Sequence, residues 1–205
     1  TGIAAAEEAA RLGADVTMVS GDAVGGRATW SSLLPSKVHL TAADFLHFLK
    51  DSDQLGVDPG VYGENLEIVR KRVEEKSGEW SNVQKSRLEA LGVRIVSGKG
   101  AFESEGKIVV RNDDGEVQIL AYDRALIATG SVPIFFPSLK PDGNRILAPR
   151  LAKKLEAWPE SIIVIGGGVT GAEFAYLFDT MGSDVTWVTD LDEMLPQVDN
   201  DIGTM

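Results

Sequence analysis

The sequence has no cysteine. No disulfide can form within it, no thiolate can hold a metal and no thiol can act as a redox nucleophile. Histidine is nearly as scarce: His39 and His47 are the only two. Their spacing makes a poor metal pair, so both read as polar positions on a helix and no metal site is expected. Basic residues are outnumbered, 20 Lys and Arg against 31 Asp and Glu, giving a net charge of −11. Phosphate neutralisation needs clustered cations, so no nucleic-acid partner is expected, and an anionic membrane surface is equally disfavoured. No apolar run approaches the ~20 residues that span a bilayer. The longest candidate, residues 162–165, reads as a buried strand. No signal peptide is visible, and a cytoplasmic location is expected. The first residue is Thr1 rather than methionine, which suggests a processed or truncated start.

What is present is the composition of an ordinary soluble globular protein, 43% hydrophobic and 25% charged. The 205 residues suffice for one large domain or two small ones. Residues 1–12 read as a helix with Ile3, Ala6 and Ala10 on one face, stopped by Gly13. Residues 15–19 follow as a short buried strand. Helix, glycine, strand is the second half of a β-α-β unit, so the chain is expected to start inside a motif. A loop opened by Gly25-Gly26 runs to Pro35-Ser36-Lys37. A helix follows, with Leu40, Phe45, Phe48 and Leu49 as its apolar residues, until residues 56–63 break it. A second helix spans residues 64–91, with Leu66, Val69, Val73, Trp80 and Val83 at helical spacing. Together these predict a helical hairpin within an α/β domain.

Residues 93–96 read as a strand, residues 107–111 and 117–121 as a hairpin pair, and residues 124–129 as a further strand. Residues 131–150, rich in Pro and Gly, read as a connection. A buried strand at 161–165, a glycine turn, a helix to Met181, Gly182 and a strand at 184–188 complete the chain. The stretch Arg11-Leu12-Gly13-Ala14-Asp15-Val16-Thr17 matches Thr180-Met181-Gly182-Ser183-Asp184-Val185-Thr186. Two similar β-α-β units are therefore expected.

The strongest local motif is Gly166-Gly167-Gly168-Val169-Thr170-Gly171, which follows an apolar strand and opens a helix. That context turns a weak G-x-G-x-x-G pattern into a dinucleotide fingerprint. Gly166 permits the tight turn, Gly168 lets a pyrophosphate approach the backbone, and Gly171 allows close helix–strand packing. The helix N-terminus, from Val169 and Thr170, offers N–H groups to the phosphates. An acid ending the second strand would bind the ribose hydroxyls of NAD. Thr189 stands at that place and Asp190 one residue later. From Ser183 to Met205 there is no Lys or Arg to meet a 2′-phosphate, so the site leans toward NAD over NADP.

Three further stretches carry a family resemblance. Gly25-Gly26-Arg27-Ala28-Thr29-Trp30-Ser31-Ser32-Leu33-Leu34-Pro35-Ser36-Lys37 resembles the flavin-proximal segment G-G-T-C-x4-C-x-P-S-K of the pyridine nucleotide-disulfide oxidoreductases, the lipoamide dehydrogenase type. Ala125 to Pro133 is similar to the A-T-G-S-x-P stretch that contacts FAD there. Leu195-Pro196 and the acids after it match the segment following the second strand of the NAD domain. The resemblance covers essentially the whole chain in order.

The resemblance implies an α/β fold of FAD- and NAD(P)-binding Rossmann-like three-layer domains, with a helical hairpin insert and a small β-meander. An FAD domain would occupy residues 1–150, its first strand missing and its hairpin at about 38–92. The start of an NAD(P) domain would occupy residues 151–205. FAD contacts would fall on Gly2, Asp22, Gly25, Gly26, Arg27, Ala128, Thr129 and Gly130. Ser20 takes the place of the family's ribose-binding acid, with Asp22 the nearest substitute. Lys37 and Glu173 match the family's Lys and Glu beside flavin N5, where a cation offsets developing negative charge. The two family cysteines align with Ala28 and Leu33, so dithiol–disulfide chemistry is excluded. Trp30 is read either as filling the vacated space or as ordinary packing. Cysteine-poor members resemble soluble transhydrogenases and NAD(P)H:quinone reductases. The implied activity is hydride transfer from NAD(P)H through FAD to a small-molecule acceptor: a quinone, a dinucleotide or a small oxidant. A family dimerisation domain implies a homodimer at full length. The alternative is a non-catalytic relative kept for binding or assembly, favoured by Ser20 and the missing cysteines.

Overall fold

The computed structural model describes residues 1–149, 155–190, 192–196, 198–199 and 201. They form a mixed α/β fold with parallel and antiparallel sheets. The chain divides into two compact units, Thr1–Trp30 with Lys76–Ile134, and Ser31–Glu75 with Phe135–Met205. No helix among the described residues is long and apolar enough to cross a membrane.

In the first unit, α1 (Gly2–Arg11) leads to β1 (Thr17–Ser20), which pairs in parallel with β2 (Arg94–Ser97). Ala6, Val24, Leu88 and Val93 are buried, with Ile3, Ala10, Met18 and Ile95 packed against them. The face of α1 read from the sequence is thus the face that is covered. The helix ends in a left-handed glycine, Gly13 at φ +88. The Gly13 N–H donates to the Ala10 carbonyl and the Ala14 N–H to the Ala9 carbonyl, both at 3.0 Å. This reciprocal pair satisfies carbonyls that a helix end otherwise leaves bare.

Behind β2, the strands β3 (Lys99–Ser104), β4 (Lys107–Arg111) and β5 (Val117–Ala121) make an antiparallel meander in sequence order. The hairpin β4–β5 lies where expected. The strand β3 had no clear signal, because its Gly100 and Ala101 are poor strand formers. Residues 124–129 are not a strand. No strand among the described residues hydrogen-bonds to them, and Leu126 and Ile127 stand 69% and 70% exposed. An apolar run becomes a strand only when its backbone finds a ladder.

Helix α4 spans Leu66–Ala90, with its residues up to Glu75 belonging to the second unit and those from Lys76 to the first. Its buried stripe is Leu66, Val69, Val73, Ser77, Ser81 and Leu88. Trp80 and Val83, expected on that stripe, are 46% and 41% exposed. Helical spacing holds throughout, but serines continue it, because they meet bare carbonyls. Ser77 Oγ donates to the Thr29 carbonyl at 2.8 Å and Ser81 Oγ to the Val24 carbonyl at 2.6 Å. These bonds anchor α2 (Gly26–Trp30) and the turn before it.

In the second unit, α3 (Leu33–Lys50) begins inside the stretch expected to be a loop. Pro35 lies in its first turn, where the missing N–H has no intrahelical acceptor to lose. Its buried residues are Pro35, Val38, His39 and Ala43, whereas Phe45 and Phe48 are about equally exposed, at 70% and 71%. Val38 and Ala42 pack on Val69 and Val73 of α4, forming the expected helical hairpin. Further on, β6 (Ser161–Ile165), α5 (Val169–Thr180) and β7 (Asp184–Val188) make a β-α-β unit with parallel strands, Ser161 opposite Asp184 through Ile165 opposite Val188. Strand β6 is not the buried strand expected. Exposed Ile163 and Ile165 alternate with half-buried Ile162 and Val164, the pattern of a sheet covered on one side.

Candidate functional site

The glycine turn joins β6 to α5. Gly166 continues the ladder, its N–H donating to the Val188 carbonyl at 2.8 Å. Its φ of +120 lies in the region that glycine adopts at little cost. Gly168 caps α5, and the first helical bond runs from the Ala172 N–H to the Gly168 carbonyl at 3.0 Å. The amides of Val169, Thr170 and Gly171 therefore precede any intrahelical acceptor. The helix dipole adds partial positive charge at the same end. A Cβ built on Gly168 would meet no atom within 4 Å. A Cβ on Gly171 would collide with the Gly166 carbonyl oxygen. One glycine thus leaves open space before free amides, and the other closes the helix onto the strand. These observations fit a dinucleotide's pyrophosphate.

Thr189 and Asp190 follow β7. Thr189 packs over Gly167: a Cβ there would lie 2.6 Å from Thr189 Oγ1 and 3.5 Å from Met194 Sδ. Asp190 is exposed. From the following segment, the Leu195 N–H donates to the Gly167 carbonyl at 2.7 Å.

Lys37 and Glu173, far apart in sequence, form a direct ion pair from Nζ to Oε1. Lys37 is in the second turn of α3 and Glu173 in the second turn of α5. Two more polar links join these helices. Tyr176 donates its hydroxyl to Asp44 Oδ1 at 2.9 Å, and Lys50 Nζ donates to the Thr180 carbonyl at 2.8 Å. Partial desolvation, then the Asp44 contact, raises the Tyr176 pKa. A cleft of about 220 Å³ lies along the start of α3 and α5, lined by Ser32, Leu33, Ser36, His39, Thr170, Glu173 and Phe174. His39 is buried, with Nδ1 at 2.8 Å from the Pro35 carbonyl. Burial pushes its pKa down, against a smaller opposing effect of that bond. Its ring meets Trp158 edge-on, and Trp158 meets Phe178 the same way.

In the first unit, the expected residues Gly2 and Ala128 come together, and Arg27 reaches the residue after Gly130. A Cβ on Gly2 would lie 3.1 Å from Ala128 Cβ, so the start of α1 abuts the Ala128-Thr129-Gly130 stretch. Arg27 Nη1 donates to the Ser131 carbonyl at 3.2 Å. Gly25 and Gly26 have φ values of +118 and +60, and Gly130 of +76. Ser20 Oγ donates to the Asp22 carbonyl at 2.7 Å, which ties the strand-end hydroxyl to its own turn. Trp30 Nε1 donates to the Val24 carbonyl at 3.0 Å; it belongs to the packing of that turn. Ala28 is exposed, and Leu33, in the second unit, is 58% exposed.

Sequence reasoning missed three contributors. Trp187 of β7 donates Nε1–H to the Gly166 carbonyl at 2.8 Å. Asp44 and Tyr176 tie α3 to α5. Only the rarity of tryptophan two residues before the expected acid could have drawn notice to the first. Nothing in the spacing marked the second pair.

These features coincide with a match over residues 1–205 to the family described as pyridine nucleotide-disulphide oxidoreductase. The chain belongs to that family. It is 34% identical to dihydrolipoyl dehydrogenase 2 of Haloarcula marismortui, over 100% of this chain and 43% of that protein. It is 32% identical to an NAD(P)H dehydrogenase (quinone) of Mycobacterium tuberculosis, over 91% of this chain and 39% of that protein. The crystal structure of LpdA from Mycobacterium tuberculosis superposes with a TM-score of 0.87 at 30% identity, covering 99% of this chain and 45% of that one. This oxidoreductase-family chain spans less than half the length of the curated relatives it matches.

Proposed function

We propose that the protein containing this chain is an FAD-dependent NAD(P)H oxidoreductase that delivers electrons to an acceptor other than a disulfide. NADH is the preferred donor, and the acceptor is a quinone, a second dinucleotide or a small oxidant. The observation that carries the reading is the ion pair between Lys37 of α3 and Glu173 of α5, the helix opened by the glycine turn, in a chain without cysteine. The name of the M. tuberculosis relative, an NAD(P)H dehydrogenase (quinone), supports the acceptor class.

In this reading residues 1–150 serve FAD, through Gly2, Asp22, Gly25, Gly26, Arg27, Ala128, Thr129 and Gly130. Residues 151–205 begin the NAD(P) region, through Gly166, Gly168, Val169, Thr170, Gly171, Thr189 and Asp190. A bound flavin supplies two-electron chemistry that no side chain here can perform. The amides at the start of α5 hold phosphate. Asp190, with no cation between residues 183 and 205, disfavours a 2′-phosphate. Glu173 holds the Lys37 ammonium in place, and the ammonium presents positive charge where negative charge develops. The homodimer and the cytoplasmic location belong to the same proposal.

The test is an anaerobic mixing experiment on the full-length protein. NADH should bleach the flavin colour, and quinones or dyes should restore it. Lipoamide or glutathione disulfide should give no turnover. The non-catalytic reading, which the tied-down Ser20 favours, predicts no flavin and no bleaching.

A further inference from the structure

We propose that Trp187 is a positioning residue of the dinucleotide turn: its indole N–H holds the Gly166 carbonyl and so pre-forms the open cradle at Gly168. The inference rests on the reading of β6–α5–β7 as a dinucleotide site.

Trp187 lies on β7 opposite Val164 of β6. Its ring extends past the end of β6, and Nε1 reaches the Gly166 oxygen at 2.8 Å. Gly166 has a φ of +120, a conformation open to few other residues. The same oxygen is the atom that a Cβ on Gly171 would strike, and that Cβ would also lie 3.0 Å from Trp187 Nε1. The glycine at 171 therefore makes room for a hydrogen bond supplied by the sheet as well as for the strand.

Three backbone groups in the first half of the turn are then held. The Gly166 N–H is on Val188, the Gly166 carbonyl on Trp187 and the Gly167 carbonyl on the Leu195 N–H. Gly168, next in sequence, faces open space. Three successive glycines would otherwise sample many conformations, and ordering them would weaken binding. An unheld carbonyl at Gly166 could also turn its negative end toward an arriving anion. The indole bond removes both costs before the ligand arrives.

Trp187→Phe in the full-length protein keeps the ring and deletes the donor. NADH and ADP should each bind about five- to tenfold more weakly, the loss of one hydrogen bond's net worth. The loss should be equal for the two probes, because the turn holds the phosphates they share. In turnover it should fall on KM for NADH rather than on kcat. Wild-type tryptophan fluorescence should respond to ADP, and the variant should lack that response. Hydrogen exchange in wild-type residues 184–190 should slow when ADP is added, a result independent of whether the variant folds. Unchanged affinity for both probes, an ADP-dependent fluorescence change that persists in W187F, or unaltered exchange in residues 184–190 would each overturn the role of Trp187 and leave the dinucleotide site standing. Wild-type protein that binds neither NADH nor ADP would overturn both.

Discussion

The two helix–glycine–strand segments share a sequence pattern and the same helix end, yet differ in how the strand end is used. In α5–β7, as in α1–β1, a left-handed glycine follows the helix, Gly182 at φ +95. The Gly182 N–H donates to the Asp179 carbonyl and the Ser183 N–H to the Phe178 carbonyl, both at 2.9 Å, the arrangement seen at Gly13. The strands then diverge. In the first segment Ser20 bonds back to Asp22 and the turn closes on itself. In the second, Trp187, Thr189 and Leu195 all reach the glycine turn and leave Gly168 open. Gly2 is packed against Ala128, but Gly168 faces no protein atom. An identical local code thus serves as a scaffold, and what lies beyond the strand decides whether the scaffold presents a cradle.

The largest effect expected is at that open glycine. Gly168→Trp should weaken NADH binding by at least about 100-fold, because the ring occupies the pyrophosphate's space. FAD content and folding should be retained, since a Cβ at this position meets no protein atom within 4 Å. Calorimetric titration with NADH, alongside the visible spectrum, measures both. Gly171→Ala separates space for a ligand from space for packing. Its Cβ meets backbone that cannot swing away, so the protein should lose about 3 kcal/mol of stability, read by denaturant unfolding.

Smaller effects test the first unit and the shared caps. Ser77→Ala should cost about 1–2 kcal/mol, because the Thr29 carbonyl loses its buried donor. Gly13→Ala and Gly182→Ala should each cost about 1 kcal/mol, the strain of a left-handed residue with a Cβ. Equal losses would show that the two caps are one device; a clear inequality would break the comparison. The smallest effect concerns pH. Burial lowers the His39 pKa in the folded state, so the unfolded chain binds the proton more readily. Stability is therefore complete above the ordinary histidine value of about 6.5 and declines as pH falls below it. His39→Phe should flatten the melting temperature against pH in that acidic window.

Much of this was legible because glycine and apolar spacing act locally. Gly13 and Gly182 announced their caps, and the run before Gly166 announced β6 and the turn. The covered face of α1 followed from Ile3, Ala6 and Ala10. What was hidden depends on partners. The inward stripe of α4 passes through Ser77 and Ser81, which look like surface residues until the carbonyls of Thr29 and Val24 appear beside them. The start of α3 was masked by Pro35, which reads as a loop residue but is harmless in a first turn. Residues 124–129 carry strand-forming side chains, but no ladder among the described residues reaches them. At the candidate site the Lys37–Glu173 pair was expected through resemblance alone, because no local spacing links residues so far apart in sequence. Trp187 was silent for the same reason: its importance lies in where a strand end brings its indole.

In the proposed function Lys37, held by Glu173, poises the flavin for hydride from NADH, with no dithiol in this chain. Stopped-flow reduction of the full-length protein by NADH, comparing wild type with Lys37→Met, tests it most directly. Flavin reduction in the variant should be slower by roughly 100-fold with FAD still bound, as for loss of one preorganised charge. Reduction of K37M at the wild-type rate, or turnover of lipoamide by the wild-type protein, would overturn that role for Lys37.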